Sequence, residues 1–229
     1  MRRFFRAAIP ACLFLSAAVG LARPAAGQSS GEKPARKTVT AARALGPIAI
    51  DGVLSEPDWS APGVNGFTQT DPLDGRPATE ATTVWVAFDR NNLYVAARLS
   101  DTDPAGIVSR LGRRDEEVPS DWFYVAIDPY LDRRSGYFFG VNPAGSIIDG
   151  TIFNDESTDE TWDGIWQTAA RTDETGWTAE MRIPFDQIRF KRRDAYTWGI
   201  NFLREIRRKN ESVWYAWRPK EESGMVSRF

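Results

Sequence analysis

The sequence predicts an all-β chain folded as an antiparallel β-sandwich of jelly-roll-like form. Apolar residues recur in short runs, and no stretch keeps a 3.6-residue period for three turns. The turn pairs Asp51-Gly52, Asn91-Asn92, Asp149-Gly150, Asp163-Gly164 and Thr175-Gly176 separate those runs. Strands punctuated this often pair locally, and two sheets then bury one face each against the other.

Along the chain, residues 1–27 read as a cleaved secretory signal. Met1-Arg2-Arg3-Phe4-Phe5-Arg6 is a basic start, 7–22 is a short apolar stretch, and Ala25-Ala26-Gly27 is a small-residue cleavage site. Residues 28–37 are polar and aperiodic, a linker, and the folded unit runs from 38 to 218. Residues 219–229 form a C-terminal tail or the start of a following region. Strands are expected at 47–51, 82–89, 92–100, 121–128, 136–142, 146–153, 164–171, 176–183, 196–204 and 211–217. Single helical turns are expected at 55–60, with Ser55 as N-cap and Pro57 near the first helical position, and at 184–188.

Alternation assigns faces. In Gly176-Trp177-Thr178-Ala179-Glu180-Met181-Arg182-Ile183 the Trp, Ala, Met and Ile share one side, which marks Trp177 as core. In the 121–128 strand, Phe123, Val125 and Ile127 lie together. Trp122, Tyr124 and Ala126 occupy the opposite, partly polar face, which suits a ligand surface.

Composition removes several chemistries. The 229 residues contain no His and one Cys, so no Ser-His or Cys-His relay and no His-based metal site can form. Residues 1–27 hold four Arg and no acid; the remainder carries 25 basic and 31 acidic residues, net −6, which argues against nucleic acid as a partner. Cys12 leaves with the signal, so an exported domain of this size must be held by its own core. Glycoside hydrolysis needs two carboxylates facing each other, and the spacing of the 31 acids selects no pair. An active site within this chain is therefore not indicated.

Four segments together resemble the carbohydrate-binding module family 9. They are Ile50-Asp51-Gly52-Val53-Leu54-Ser55-Glu56-Pro57-Asp58-Trp59, Val84 to Asp89 running into Leu93-Tyr94-Val95-Ala96, Ser120-Asp121 leading a strand that ends Ile127-Asp128, and Gly176 to Pro184. The resemblance spans about 46–218 and implies a sugar-binding β-sandwich, attached in many members to glycoside hydrolases and carrying structural calcium in some. Sugar-binding members clamp a sugar between two Trp. The first clamp position is Val118 here, and the second falls within 220–226, which holds no Trp. A sugar-contacting Glu of the family corresponds to Tyr124, and an Arg to Gly140. The 204–219 segment further resembles the junction before an outer-membrane β-barrel region. The resemblance thus implies an exported bacterial module of the periplasm, the outer-membrane surface or the medium, serving glycan breakdown or uptake. The alternative is an interaction or plug domain for a barrel region in the same or another chain.

Sugar recognition needs flat aromatic faces for C–H surfaces and planar polar groups for hydroxyls. Trp122, Tyr124, Asn142, Asp149 and Trp162 are the candidate carbohydrate-binding residues; for the first four the other reading is that they pack under a loop or against a following domain, and for Trp162 that it covers the sandwich end at a strand start. For calcium, the candidate oxygen donors are Asp101, Asp103 and Asp155, the last in the acidic run 154–160. The competing reading for each is a solvated loop or a turn.

Overall fold

The computed structural model of the protein describes residues 36–229; the signal at 1–27 and most of the 28–37 linker lie outside the described residues. The strands are β1 (Ala42–Arg43), β2 (Thr68–Asp71), β3 (Thr82–Phe88), β4 (Asn92–Ser100), β5 (Trp122–Asp128), β6 (Gly136–Val141), β7 (Ile147–Phe153), β8 (Ser157–Asp159), β9 (Gln167–Asp173), β10 (Gly176–Pro184), β11 (Gly199–Ile206) and β12 (Glu211–Trp214). They form a five-stranded sheet, β1-β3-β4-β10-β9, and a seven-stranded sheet, β2-β12-β11-β5-β6-β7-β8. All pairings are antiparallel except β1 with β3. The sandwich is as expected.

The core lies between the sheets and is assembled by strand alternation. Trp177, Ala179, Met181 and Ile183 of β10 meet Phe123, Val125 and Ile127 of β5, together with Phe139, Val141 and Phe202. Phe123 and Phe202 stack at 6.2 Å between centroids. Burial of these side chains, the larger ones contributing about 1.5–3 kcal/mol each, drives the two sheets together.

At one end of the sandwich, Arg204 of β11 ties the sheets to each other. Its fully buried guanidinium donates to Ala81 O (3.0 Å), Thr82 Oγ1 (3.1 Å) and Ser100 O (2.8 Å), all at the ends of β3 and β4. Burial pulls its pKa down to about 10, opposed by the carboxylates of Asp121, Asp101, Glu80 and Glu211.

The expected strand at 47–51 is instead an extended cover on the outer face of the five-stranded sheet. Ile48 and Trp59 pack there with Tyr94 and Ala96. The competing interaction is Glu180, on the outward side of β10 and fully buried. It accepts from Gly52 N (2.8 Å), Asp51 N (3.2 Å) and Trp59 Nε1 (3.0 Å), so the backbone of the turn points at a carboxylate rather than at a neighbouring strand. Gly52 sits at φ +80°, and a Cβ there would crowd Arg171 and Ala170 at 3.2–3.3 Å. The turn expected at 55–60 is a 3₁₀ turn, Pro57–Trp59, whose N-cap is Glu56 rather than Ser55; Glu56 accepts from Ala49 N instead of capping. The turn expected at 184–188 is the 3₁₀ turn Phe185–Gln187. Sequence periodicity missed β1, β2 and β8. β8 arises inside the acidic run, fully exposed and without an apolar alternation, by pairing with the edge of β7.

Residues 219–229 pack on the outer face of the seven-stranded sheet. Val226 is fully buried there with Ala126 and Ile152, flanked by Met225, Phe229 and Phe138. Asp155 holds the segment by accepting from Met225 N (3.1 Å) and Ser227 N (2.8 Å).

Replacing Glu180 would orphan two backbone N–H groups and the Trp59 indole at once. Glu180→Ala is expected to lower unfolding free energy by about 2–4 kcal/mol, read from urea midpoints. The Trp59 emission should also shift as the cover loosens.

Candidate functional site

The outer face of the seven-stranded sheet carries the site, and strand register builds it. One rung runs Trp214 (β12), Leu203 (β11), Tyr124 (β5), Gly140 (β6) and Ile148 (β7); the neighbouring rung places Ser212 beside Glu205 and Glu205 beside Trp122. Tyr124, Leu203, Glu205, Ser212 and Trp214 are all partly open to solvent. The strip is bounded on one side by the 219–229 segment over Ala126. The loop before β5 bounds it on the other.

Tyr124 is the centre of this strip. Its ring lies across β6 at Gly140, where a Cβ would stand 2.5 Å from ring carbons, so the glycine makes room for the ring to lie flat. Trp122 stacks against it, centroids 5.6 Å apart and rings inclined 24°. Burial pushes the Tyr124 hydroxyl pKa up, reinforced by the carboxylates of Glu205, Glu117 and Glu160, so the phenol stays neutral and keeps its proton. Glu205 is pushed up to about 7 by burial first and by Glu117 next, with Arg207 opposing. Near neutral pH its carboxyl therefore exists in both forms, donor and acceptor.

The expected binding residues divide. Trp122 and Tyr124 share the predicted face, but Trp122 is only 1 % exposed and its Nε1 donates to Val118 O at 3.1 Å; it backs the platform instead of presenting one. Asn142 lies on the same face and is fully buried. Its side chain donates to Arg110 O (2.6 Å) and accepts from Ala144 N and Ser146 N, which pins two loops and leaves no group for a ligand. Asp149 pairs with the inward-facing Phe139, so it belongs to the opposite face, where it is fully buried and accepts from Gly164 N (2.6 Å) and Arg114 (2.5 Å). Trp162 packs on Tyr137 (5.1 Å) and edge-on to Phe139 (6.1 Å), plugging the sandwich away from the strip. Leu203, Glu205 and Trp214 were missed. Their places depend on which strand neighbours β5, and no local pattern encodes that.

The expected calcium donors do not gather. Asp101 is ion-paired to Arg208 and near Arg204, and Asp103 faces Arg208 Nε at 3.9 Å, so a cation there would have to displace a guanidinium. Asp155 serves the 219–229 segment. Among the described residues one acidic cluster has ligand-like spacing, Asp115, Asp149 and Asp163. Arg114 already fills it, at 3.3, 2.5 and 2.9 Å from the three carboxylates. None of these sets fits a calcium ion.

Compared with family models and with curated protein sequences, the chain matches none. Solved structures do share its fold. One is a carbohydrate-binding module family 9 from Caldicellulosiruptor kristjanssonii in complex with cellotriose: 16% identity, 84% of this chain and 91% of that one covered, TM-score 0.58. Another is a family 9 module from the same organism in complex with glucose, at 16% identity, 82% and 92% coverage and TM-score 0.56. A Bacteroides uniformis protein aligns with 16% identity, 82% and 92% coverage and TM-score 0.58. The sandwich is thus of the family 9 type, as the four sequence segments imply.

Glu205 gives a sign-definite pH test. An acid whose folded pKa is raised from 4.5 to about 7 favours folding while protonated, and that contribution is lost as pH rises through 7. Glu205→Gln should match the parent near pH 5 and exceed it in stability at pH 8.5 by about 1–3 kcal/mol, measured by urea unfolding at both pH values.

Proposed function

We propose that the chain binds a neutral oligosaccharide on the open strip of the seven-stranded sheet, as an exported module serving glycan breakdown or uptake. The observation that carries this is the Tyr124 ring, laid flat over Gly140, backed by Trp122 and flanked by Glu205. A flat ring offers its face to sugar C–H groups, and the carboxyl beside it offers a partner to hydroxyls. Trp214, two strands away on the same rung, supplies a second apolar surface. Two structures of the shared fold hold cellotriose and glucose, which supports the same ligand class here. The carboxylates of Glu205, Glu117 and Glu160 around Tyr124 disfavour acidic glycans by like-charge repulsion.

Titration calorimetry of the intact chain against neutral and uronic-acid oligosaccharides tests this. Saturable binding of a neutral sugar is expected, weakened at least about tenfold, or 1.4 kcal/mol, in Tyr124→Ala. Gly140→Ala is expected to weaken it comparably, because the new methyl displaces the Tyr124 ring while leaving its chemistry intact. A folded chain that binds no neutral sugar, or binds equally well without the Tyr124 ring, would overturn the reading and leave the strip as a contact surface for another polypeptide.

A further inference from the structure

At the end of the sandwich opposite Arg204, residues of both sheets and of the 185–198 connection line an open cavity of about 940 Å³. This is the upper range for small-molecule sites. Its floor is aliphatic: Val86 and Leu93 from one sheet, Ile127 and Ile200 from the other. One wall is a cluster of aromatic rings, Phe185, Phe190, Tyr196 and Trp198, which meet mostly edge to face at 5.2–6.3 Å. Tyr196 is 48% exposed and Phe88, also lining the space, is 36% exposed. Large aromatic surface left open to water at a concave site points to a ligand that covers it.

Unpaired donors at the lining narrow the ligand. Arg90 and Arg192 line the cavity, and neither makes an ion pair among the described residues. Two carboxylates are also present. Asp89 is consumed locally, accepting from Asn91 N (2.6 Å), Asn92 N (2.7 Å) and the Tyr94 hydroxyl (2.8 Å). Asp89 keeps its charge through these bonds, so two guanidinium groups face two carboxylates; what the lining has in excess is guanidinium N–H donors without an acceptor among the described residues. A sugar is disfavoured, because its hydroxyls would be desolvated against an aliphatic floor.

We propose that this cavity binds a compact aromatic ring system carrying one carboxylate, the ring against Phe190, Tyr196 and Trp198 and the anion toward Arg90 and Arg192. It is separated from the Tyr124 strip by the thickness of the seven-stranded sheet, since Ile127 faces inward and Tyr124 outward on the same strand.

Naphthalene-2-carboxylate, with naphthalene-2-methanol as its neutral counterpart, tests the proposal by calorimetry on the intact chain. The acid should bind with Kd on the order of 0.1 mM and the alcohol at least about fivefold more weakly. The double variant Arg90→Ala/Arg192→Ala, on exposed side chains, should remove that difference. Ala195→Trp, which places an indole in the cavity lining, should abolish binding of both, with circular dichroism confirming the fold. Tyr124→Ala should leave naphthoate binding unchanged, which separates this site from the sugar strip. No saturable binding, equal affinity for acid and alcohol, or loss of binding in Tyr124→Ala would each overturn it.

Discussion

The structure depends on a guanidinium placed where water cannot reach it. Arg204 spans the two sheets, and three oxygens at the ends of β3 and β4 take its N–H groups. A lone buried cation of this kind would be prohibitive; surrounding carboxylates make it tolerable and make its position non-negotiable. Asp121 is one of them, and its own pKa is raised by burial. Through Oδ1 it accepts from Arg207 N (3.0 Å) and Val108 N (3.4 Å). The carboxylate thereby fixes both β11 and the loop that leads into β5. The same loop supplies Val118 O to the Trp122 indole, and Trp122 backs Tyr124. A charge buried for architecture is thus linked to the outer-face strip through the field of Asp121, the loop that Asp121 holds, and Trp122.

Glu180 does the corresponding work on the far side of the five-stranded sheet. The Asp51-Gly52 turn and Trp59 lie more than a hundred residues from it in sequence, yet all three meet its carboxylate. Two of the sequence segments that mark this fold are therefore one structural device. Their residues clip a cover over a sheet face and touch no candidate ligand surface. A chain can retain them in full while its binding residues change. That accounts for a shared fold at 16% identity beside Val118 at the expected clamp position and Tyr124 and Gly140 where the resemblance implies a Glu and an Arg.

The strands with strong alternation were legible: 92–100 coincides with β4, and 176–183 differs from β10 by one residue. The 47–51 segment was misread because its backbone N–H groups go to side-chain carboxylates, Ala49 to Glu56 and Asp51 to the distant Glu180, and not to a neighbouring strand. For the site, alternation put Trp122 and Tyr124 on the correct face but could not give their depth, which the loop over Val118 decides. Asp149 was placed one face off for a sharper reason. Inside β7 the neighbours of Phe138 and Phe139 are set by the β6–β7 register, and a shift of one residue exchanges the faces. Trp162 carried no register information at all, since it sits in the connection before β9.

What remains open on the outer face is narrow, and its width sets what it can hold. The loop before β5 closes over Trp122 and Asn142, and the 219–229 segment closes over Ala126, leaving essentially the rung of Tyr124 and its neighbours. Along that rung the two aromatic side chains, Tyr124 and Trp214, are separated by the single strand β11. Two strand spacings amount to about 10 Å. For the sugar proposed above, anchors that far apart exceed the span of one ring and suit a short chain lying across the strands, over Leu203 and beside Glu205. On that proposal a monosaccharide would engage one anchor and leave the other wet, whereas an oligosaccharide would bind through two modest contacts rather than one deep pocket.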